Sequence, residues 1–111
     1  MKYEMKLNNE PFIKIKNGTK TIELRLNDEK RQQLKIKDQI EFTNRETQEK
    51  LLVEIINLHH FKSFEELYKN FNKVSLGYNE NDIANSKDML KYYSKEEQNK
   101  YGVLGIEIKK I

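Results

Sequence analysis

Alternating apolar and polar residues constrain the fold of this chain most, because a repeat of two residues is the pattern of a β-strand with one buried face. The clearest repeat covers residues 20–26, in which three aliphatic side chains share one face: Ile22, Leu24 and Leu26. Residues 2–7 and 103–108 alternate in the same way. The chain is therefore expected to build much of its core from short strands.

Two further strands are predicted between these segments. One strand is predicted after a turn at residues 37–38 and is marked by three apolar residues, Ile36, Ile40 and Phe42. The other covers residues 49–61, which are apolar on both faces, as is typical of a central strand.

Short helices are predicted beside the strands. Asn9 is expected to cap a first helix that buries Phe12 and Ile15 and ends at Gly18. A capping box at Ser63 begins an amphipathic helix over residues 63–72.

The chain after the second helix is predicted to be irregular before it becomes helical again. Residues 72–86 are rich in Asn, Asp and Gly without periodicity, which indicates a long surface loop. Ser86 is expected to cap a short helix, and Ser94 with Glu97 forms a second capping box.

The composition indicates one α+β domain over residues 1–111 that is held together by packing alone. The length of 111 residues suits a single domain, and the absence of cysteine excludes disulfides and thiolate zinc sites. No stretch approaches the roughly 18 apolar residues of a membrane span, so a cytoplasmic protein without membrane association is expected. The net charge of +3 permits attraction to polyanions.

The segment from Gly18 to Arg25 carries the strongest functional signal and has the pattern G-x-K-x-x-E-x-R. A guanidinium at Arg25 suits phosphate or a guanine edge, and Lys20 supplies a point charge for phosphate or an oxyanion. Glu23 is suited to accept from a cytosine amino group or to act as a general base. A regular strand would point Lys20 away from the other two, so the three converge only if the pleat begins after Lys20. Without convergence the segment is an ordinary solvated strand.

This segment resembles the signature of the ASCH domain family, and residues 11–42 and 92–108 are also similar to small bacterial ASCH proteins. The resemblance implies a PUA-like, mostly antiparallel β-barrel with flanking short helices. It also implies a cleft beside the signature strand that holds RNA or a nucleoside. Some similar proteins are N4-acylcytidine amidohydrolases that use a lysine, a threonine and a downstream acid, and others are linked to ribonuclease activity.

Lys20, Glu23 and Arg25 match positions of the family signature, so the resemblance implies that they line the site. If the chain is an enzyme, Lys20 and Glu23 are the expected catalytic residues. Glu23 stands where the amidohydrolases carry threonine, so the hydroxyl of that chemistry is missing. The downstream acid is left open between Glu80 and Asp82.

Further binding candidates surround the signature. Lys30 and Arg31 are expected to contact phosphate, and Tyr93 is the preferred stacking platform among several tyrosines because it lies next to a helix break. His59 and His60 are adjacent on a strand and face opposite ways, so neither a metal nor a cofactor is predicted.

The sequence thus favours an RNA- or nucleoside-binding ASCH domain. Hydrolysis of the same ligand is the alternative, and a protein-interaction domain with a disused cleft is a third hypothesis. Nothing in the pattern sets the oligomeric state.

Overall fold

One sheet of five strands contains all the extended segments of the computed structural model, which describes residues 1–111. The strands are β1 Lys2–Leu7, β2 Ile22–Leu26, β3 Gln39–Asn44, β4 Lys50–Phe61 and β5 Val103–Lys110. The α-helices are α1 Asn9–Asn17, α2 Phe64–Asn70 and α3 Lys95–Tyr101, and short 3-10 helices cover Arg31–Gln33 and Ser86–Lys91.

The strand order is β1-β3-β4-β5-β2, and three of the four pairings are antiparallel. Only β1 and β3 run parallel, with Met5 opposite Phe42. The sheet curls into a half-barrel with β1 and β2 as its two edges, and short helices flank it. The expected α+β, PUA-like and mostly antiparallel fold is confirmed.

Two apolar clusters fill the fold. The larger contains α1 residues Phe12 and Ile15 together with the inward faces of β1, β3, β4 and β5. The smaller packs β2 against α2 through residues such as Leu24, Phe64 and Leu67. The aliphatic residues of β2 all point into this second cluster. Glu23 and Arg25 alternate with them and therefore lie on the opposite face of the strand.

Some local predictions were wrong in detail. Asn8 rather than Asn9 is the N-cap of α1, because Asn9 is already helical and its side chain accepts a hydrogen bond from Asn44 Nδ2. Asn85 rather than Ser86 caps the second 3-10 helix, through a hydrogen bond from the backbone of Lys87.

Two apolar residues of the predicted strands lie in solvent. Ile36 precedes β3 and is 53% exposed, because the turn at Lys37 reaches a positive φ before the strand begins. Ile56 is 39% exposed, since a bulge between Ile55 and Asn57 breaks the alternation of β4.

Candidate ligand-binding cleft

The entry of the chain into β2 brings the signature residues together. Helix α1 ends at Gly18, which has a left-handed φ of 84°, and the backbone of Lys20 still donates to Lys14 O. The amides of Thr21 and Ile22 both donate to Ser75 O, in the long loop after α2. The regular pleat therefore starts at Ile22. Lys20 precedes it, so its side chain can lie on the same face as Glu23 and Arg25.

Lys20, Glu23 and Arg25 form a largely buried ionic triad, in which the Arg25 side chain is 13% exposed. Lys20 Nζ lies 3.0 Å from Glu23 Oε1, and Arg25 Nε donates to Glu23 Oε2 at 2.7 Å. Lys20 is 8% exposed and Glu23 is 4% exposed. Two cations share one carboxylate, so the triad carries one net positive charge.

The electrostatics of the triad keep Glu23 ionised. Burial raises the pKa of the Glu23 carboxyl, but the charges of Lys20 and Arg25 and their hydrogen bonds outweigh burial and lower the pKa overall. Burial alone would lower the pKa of Arg25, yet the charge of Glu23 raises it. A carboxylate held in this way is a weak base, because both of its oxygens are engaged by cations.

The triad lies in the wall of a cleft of about 660 Å³. The loop residues Leu76, Gly77 and Tyr78 also line the cleft. The backbone of Gly77 packs directly on the stem of Lys20, since a Cβ built at Gly77 would lie 3.1 Å from Lys20 Cδ. Lys14 Nζ donates to Gly77 O at 2.6 Å and holds this part of the loop in place. The volume falls in the range of small-molecule sites.

A hydrogen-bonded group of two tyrosines and a carboxylate also lines the cleft. Tyr78 donates its hydroxyl proton to Asp88 Oδ2 at 2.7 Å, and the hydroxyls of Tyr68 and Tyr78 lie 2.9 Å apart. Burial, followed by the contacts with Tyr68 and Asp88, raises the pKa of Tyr78, so its hydroxyl stays protonated. Asp88 keeps a second carboxylate oxygen that accepts no hydrogen bond from the protein.

A family model for the ASCH domain matches residues 5–111, which include the whole cleft. The chain belongs to the ASCH domain family. The crystal structure of hypothetical protein PH0355 is similar over 100% of both chains, with 34% sequence identity and a TM-score of 0.85. The solution structure of protein PF0455 from Pyrococcus furiosus covers 100% of this chain and 98% of its own, with 32% identity and a TM-score of 0.72. No curated protein matches the chain.

Tyr93 lines the cleft of this ASCH domain beside Arg25. One face of its ring stacks on Phe64 at a centroid distance of 6.0 Å. Burial raises the pKa of Tyr93, and the charges of Arg25 and Arg31 oppose this effect. Tyr92 also lines the cleft and is 62% exposed, so its ring is the more accessible platform.

Lys30 and Arg31 do not line the cleft of the triad. They lie in a neighbouring groove of about 450 Å³ that shares Arg25 with the cleft. Arg31 Nη1 is paired with Asp28 Oδ2 at 3.0 Å, whereas Lys30 is exposed and has no ionic partner. The sequence predicts that Lys30 and Arg31 contact phosphate, and the structure places both beside the cleft and not in its lining.

Of the two candidate acids in the loop, Glu80 and Asp82, only one lines the cleft. Asp82 lines the cleft but accepts a hydrogen bond from the amide of Asn79, and Glu80 is exposed and does not line it. Sequence reasoning missed Asp88 and the role of Tyr68. The available signal was Tyr68 on the buried face of α2, because a buried phenol needs a polar partner for its hydroxyl.

The histidines do not line the cleft; they lie on β4, two strands away from Leu24 and Arg25. His59 Nε2 is 2.8 Å from Glu107 Oε1, and the His59 ring meets Phe71 edge-on, whereas His60 is exposed. None of the helices has the length and apolar character needed to cross a lipid bilayer.

Proposed function

We propose that the cleft of this ASCH domain binds a nucleotide base of RNA or a modified nucleoside. The observation that carries the proposal is the buried Lys20–Glu23–Arg25 triad, with its net positive charge, in the wall of a cleft large enough for a nucleoside. The family resemblance implies the same kind of ligand.

Burying the triad costs desolvation free energy, and a costly buried cluster supports a role in binding. Burying a charged group such as Lys20 or Glu23 costs several kcal/mol for each ion, and apolar side chains of similar volume are often as stabilising as a buried ion pair. Lys and Glu elsewhere in this chain lie mostly in solvent, so the sequence has no general need to bury them. Clustered, desolvated charges in a cleft are typical of functional sites.

The polar groups left free in the cleft match the parts of a nucleotide. Arg25 uses Nε for Glu23 and Nη2 for the backbone oxygen of Lys6, and it also interacts with the Tyr93 hydroxyl; the other N–H groups of its guanidinium are available for phosphate or a base carbonyl. The free oxygen of Asp88 is an acceptor suited to an exocyclic amino group. Tyr92 offers an exposed ring on which a base can stack.

Binding is preferred over hydrolysis because of the state of Glu23. Both of its oxygens are engaged by cations, and its pKa is lowered, so it is a poor general base near neutral pH. The position also lacks the threonine hydroxyl of the amidohydrolases that the signature resembles.

The test measures retention and turnover together. The purified chain is titrated with cytidine monophosphate, N4-acetylcytidine and a short mixed-sequence RNA, and the products are analysed for deacylation or cleavage. We expect binding without turnover, and a loss of about 1–3 kcal/mol of affinity in Lys20→Met. Lys110→Gln serves as the control, because Lys110 is exposed on β5 outside the cleft.

Two other results would support the alternative functions, hydrolysis and protein interaction. Deacylation or cleavage that is lost in Lys20→Ala makes the chain a hydrolase. Failure to bind any of the three probes contradicts the proposal and favours a protein-interaction role.

A further inference from the structure

The groove next to the cleft is far more basic than the rest of the protein. The chain as a whole has 21 Lys and Arg residues against 18 Asp and Glu residues. The groove has ten lining residues, of which Glu4 is the one acid. Six of the ten are cationic: Lys6, Arg25, Lys30, Arg31, Arg45 and Lys50.

The groove and the cleft adjoin each other. Lys6, Arg25 and Arg45 line both of them. Arg25 stands at the boundary, where its Nε contacts Glu23 on the cleft side and its Nη2 donates to Lys6 O at 3.2 Å. A ligand in the cleft therefore lies beside the groove, with Arg25 between the two.

The cations of the groove are held on anchored segments, and several lack a protein partner. The amide of Arg45 donates to Leu7 O, which ties the β3–β4 hairpin to the end of β1. Asp28 accepts from both the backbone and the guanidinium of Arg31, which orders the loop that carries Lys30. Lys6, Lys30 and Arg45 form no salt bridge, so their charges are free to pair with an external anion.

We infer that the groove binds the phosphodiester backbone of a single-stranded RNA whose base occupies the cleft, so that the ligand is a nucleotide within a chain and not a free nucleoside. This inference rests on the proposed function of the cleft. Several neighbouring cations can neutralise successive phosphates of a polyanion, whereas a single nucleoside offers them no such charges. A base that enters the cleft must also be unpaired, which favours a single strand. Three unpaired cations that each neutralise one phosphate give a salt slope of about −2 for a single strand.

The experiment compares one short probe with one long probe. Affinities of cytidine monophosphate and of a labelled mixed-sequence RNA of about eight nucleotides are measured between about 50 and 200 mM salt. The test variant is Lys30→Gln with Lys50→Gln, since both residues line the groove and not the cleft. The control is Lys62→Gln with Lys110→Gln, which removes the same charge from exposed positions outside both sites.

We expect the RNA to bind about tenfold or more tightly than the mononucleotide at low salt, with the steeper salt dependence. The test variant should weaken RNA binding about tenfold and flatten its salt slope by about one, while mononucleotide binding stays within about twofold. The control variant should leave both unchanged.

The failures are distinguishable. Equal affinity and equal salt dependence for both probes overturn the groove and leave the cleft in place, as does equal weakening by the test and control variants. A single-stranded DNA probe that binds as well as the RNA overturns the assignment to RNA. Absence of binding by both probes overturns the proposed function and the groove with it.

Discussion

Glu23 is the residue on which the charge balance of the site depends. It is the only carboxylate that contacts Lys20 and Arg25, and it pairs with both at once. Its removal leaves two buried cations without a counterion, whereas removal of Lys20 leaves a neutral pair of Glu23 and Arg25. The two changes therefore differ in cost although they act on the same triad.

We expect Glu23→Gln to lower the free energy of unfolding by about 3 kcal/mol, because it leaves buried charge uncompensated. Lys20→Met is expected to cost less than about 1 kcal/mol or to stabilise the fold, since an apolar stem replaces a buried ion. Urea unfolding of both variants measures the difference. Equal losses would contradict the charge balance described here.

The stability of the wild-type protein is expected to fall in acid partly through Glu23. The pKa of Glu23 is lowered in the folded state, so its contribution is fully present above the ordinary value of 4.5 and is lost as the pH falls through the lowered folded pKa. The Tm difference between wild type and Glu23→Gln should therefore shrink between about pH 6 and about pH 3. A difference that is constant over this range would show that Glu23 does not titrate as described.

At the scale of elements, the loop over residues 72–86 builds one wall of the cleft and also sets the entry into β2. Ser75 O accepts from the amides of Thr21 and Ile22, where the chain enters β2, and the backbone of Gly77 covers the stem of Lys20. The cleft therefore depends on this loop as much as on the signature strand.

Gly77→Ala tests the role of the loop. Gly77 has a φ of 108°, and an added Cβ would lie 3.1 Å from Lys20 Cδ, so both backbone strain and a close contact are expected. The substitution should cost about 1–3 kcal/mol of stability and should also weaken ligand binding. Gly102→Ala is the matched control, because Gly102 also has a positive φ of 73° and an added Cβ would lie 3.2 Å from Phe61 O, outside the cleft. The control should lose stability and keep affinity, and loss of affinity in both variants would contradict the assignment.

At the scale of the whole molecule, Arg25 connects the two edges of the half-barrel. Strand β1 is paired on one side only, with β3, and β2 is paired only with β5. The hydrogen bond from Arg25 Nη2 to Lys6 O joins the unpaired sides of these strands. Arg25 is thus part of the fold as well as of the cleft.

Arg25→Met should loosen β1 more than the central strands. Amide hydrogen exchange in β1 is expected to quicken about tenfold, with much smaller changes in β4, because β4 is paired on both sides. Exchange measured by mass spectrometry on β1 and β4 peptides checks this, with Lys110→Gln as the control. Uniform acceleration in all strands would instead mean a global loss of stability.

Much of the fold follows from signals that act over a few residues. The alternation of β2, the end of α1 at Gly18 and the capping box of Ser94 with Glu97 were all predictable, because each is determined by period or by hydrogen bonds within about one turn. The family signature likewise identified the strand that lines the cleft.

The convergence of Lys20 with Glu23 and Arg25 depends on Ser75, which is distant in sequence and holds the start of β2. The place of Asp88 in the cleft and the separation of Lys30 from it depend in the same way on how distant segments pack. Only tertiary contacts decide such features, because local periodicity carries no information about which loop will lie against which strand.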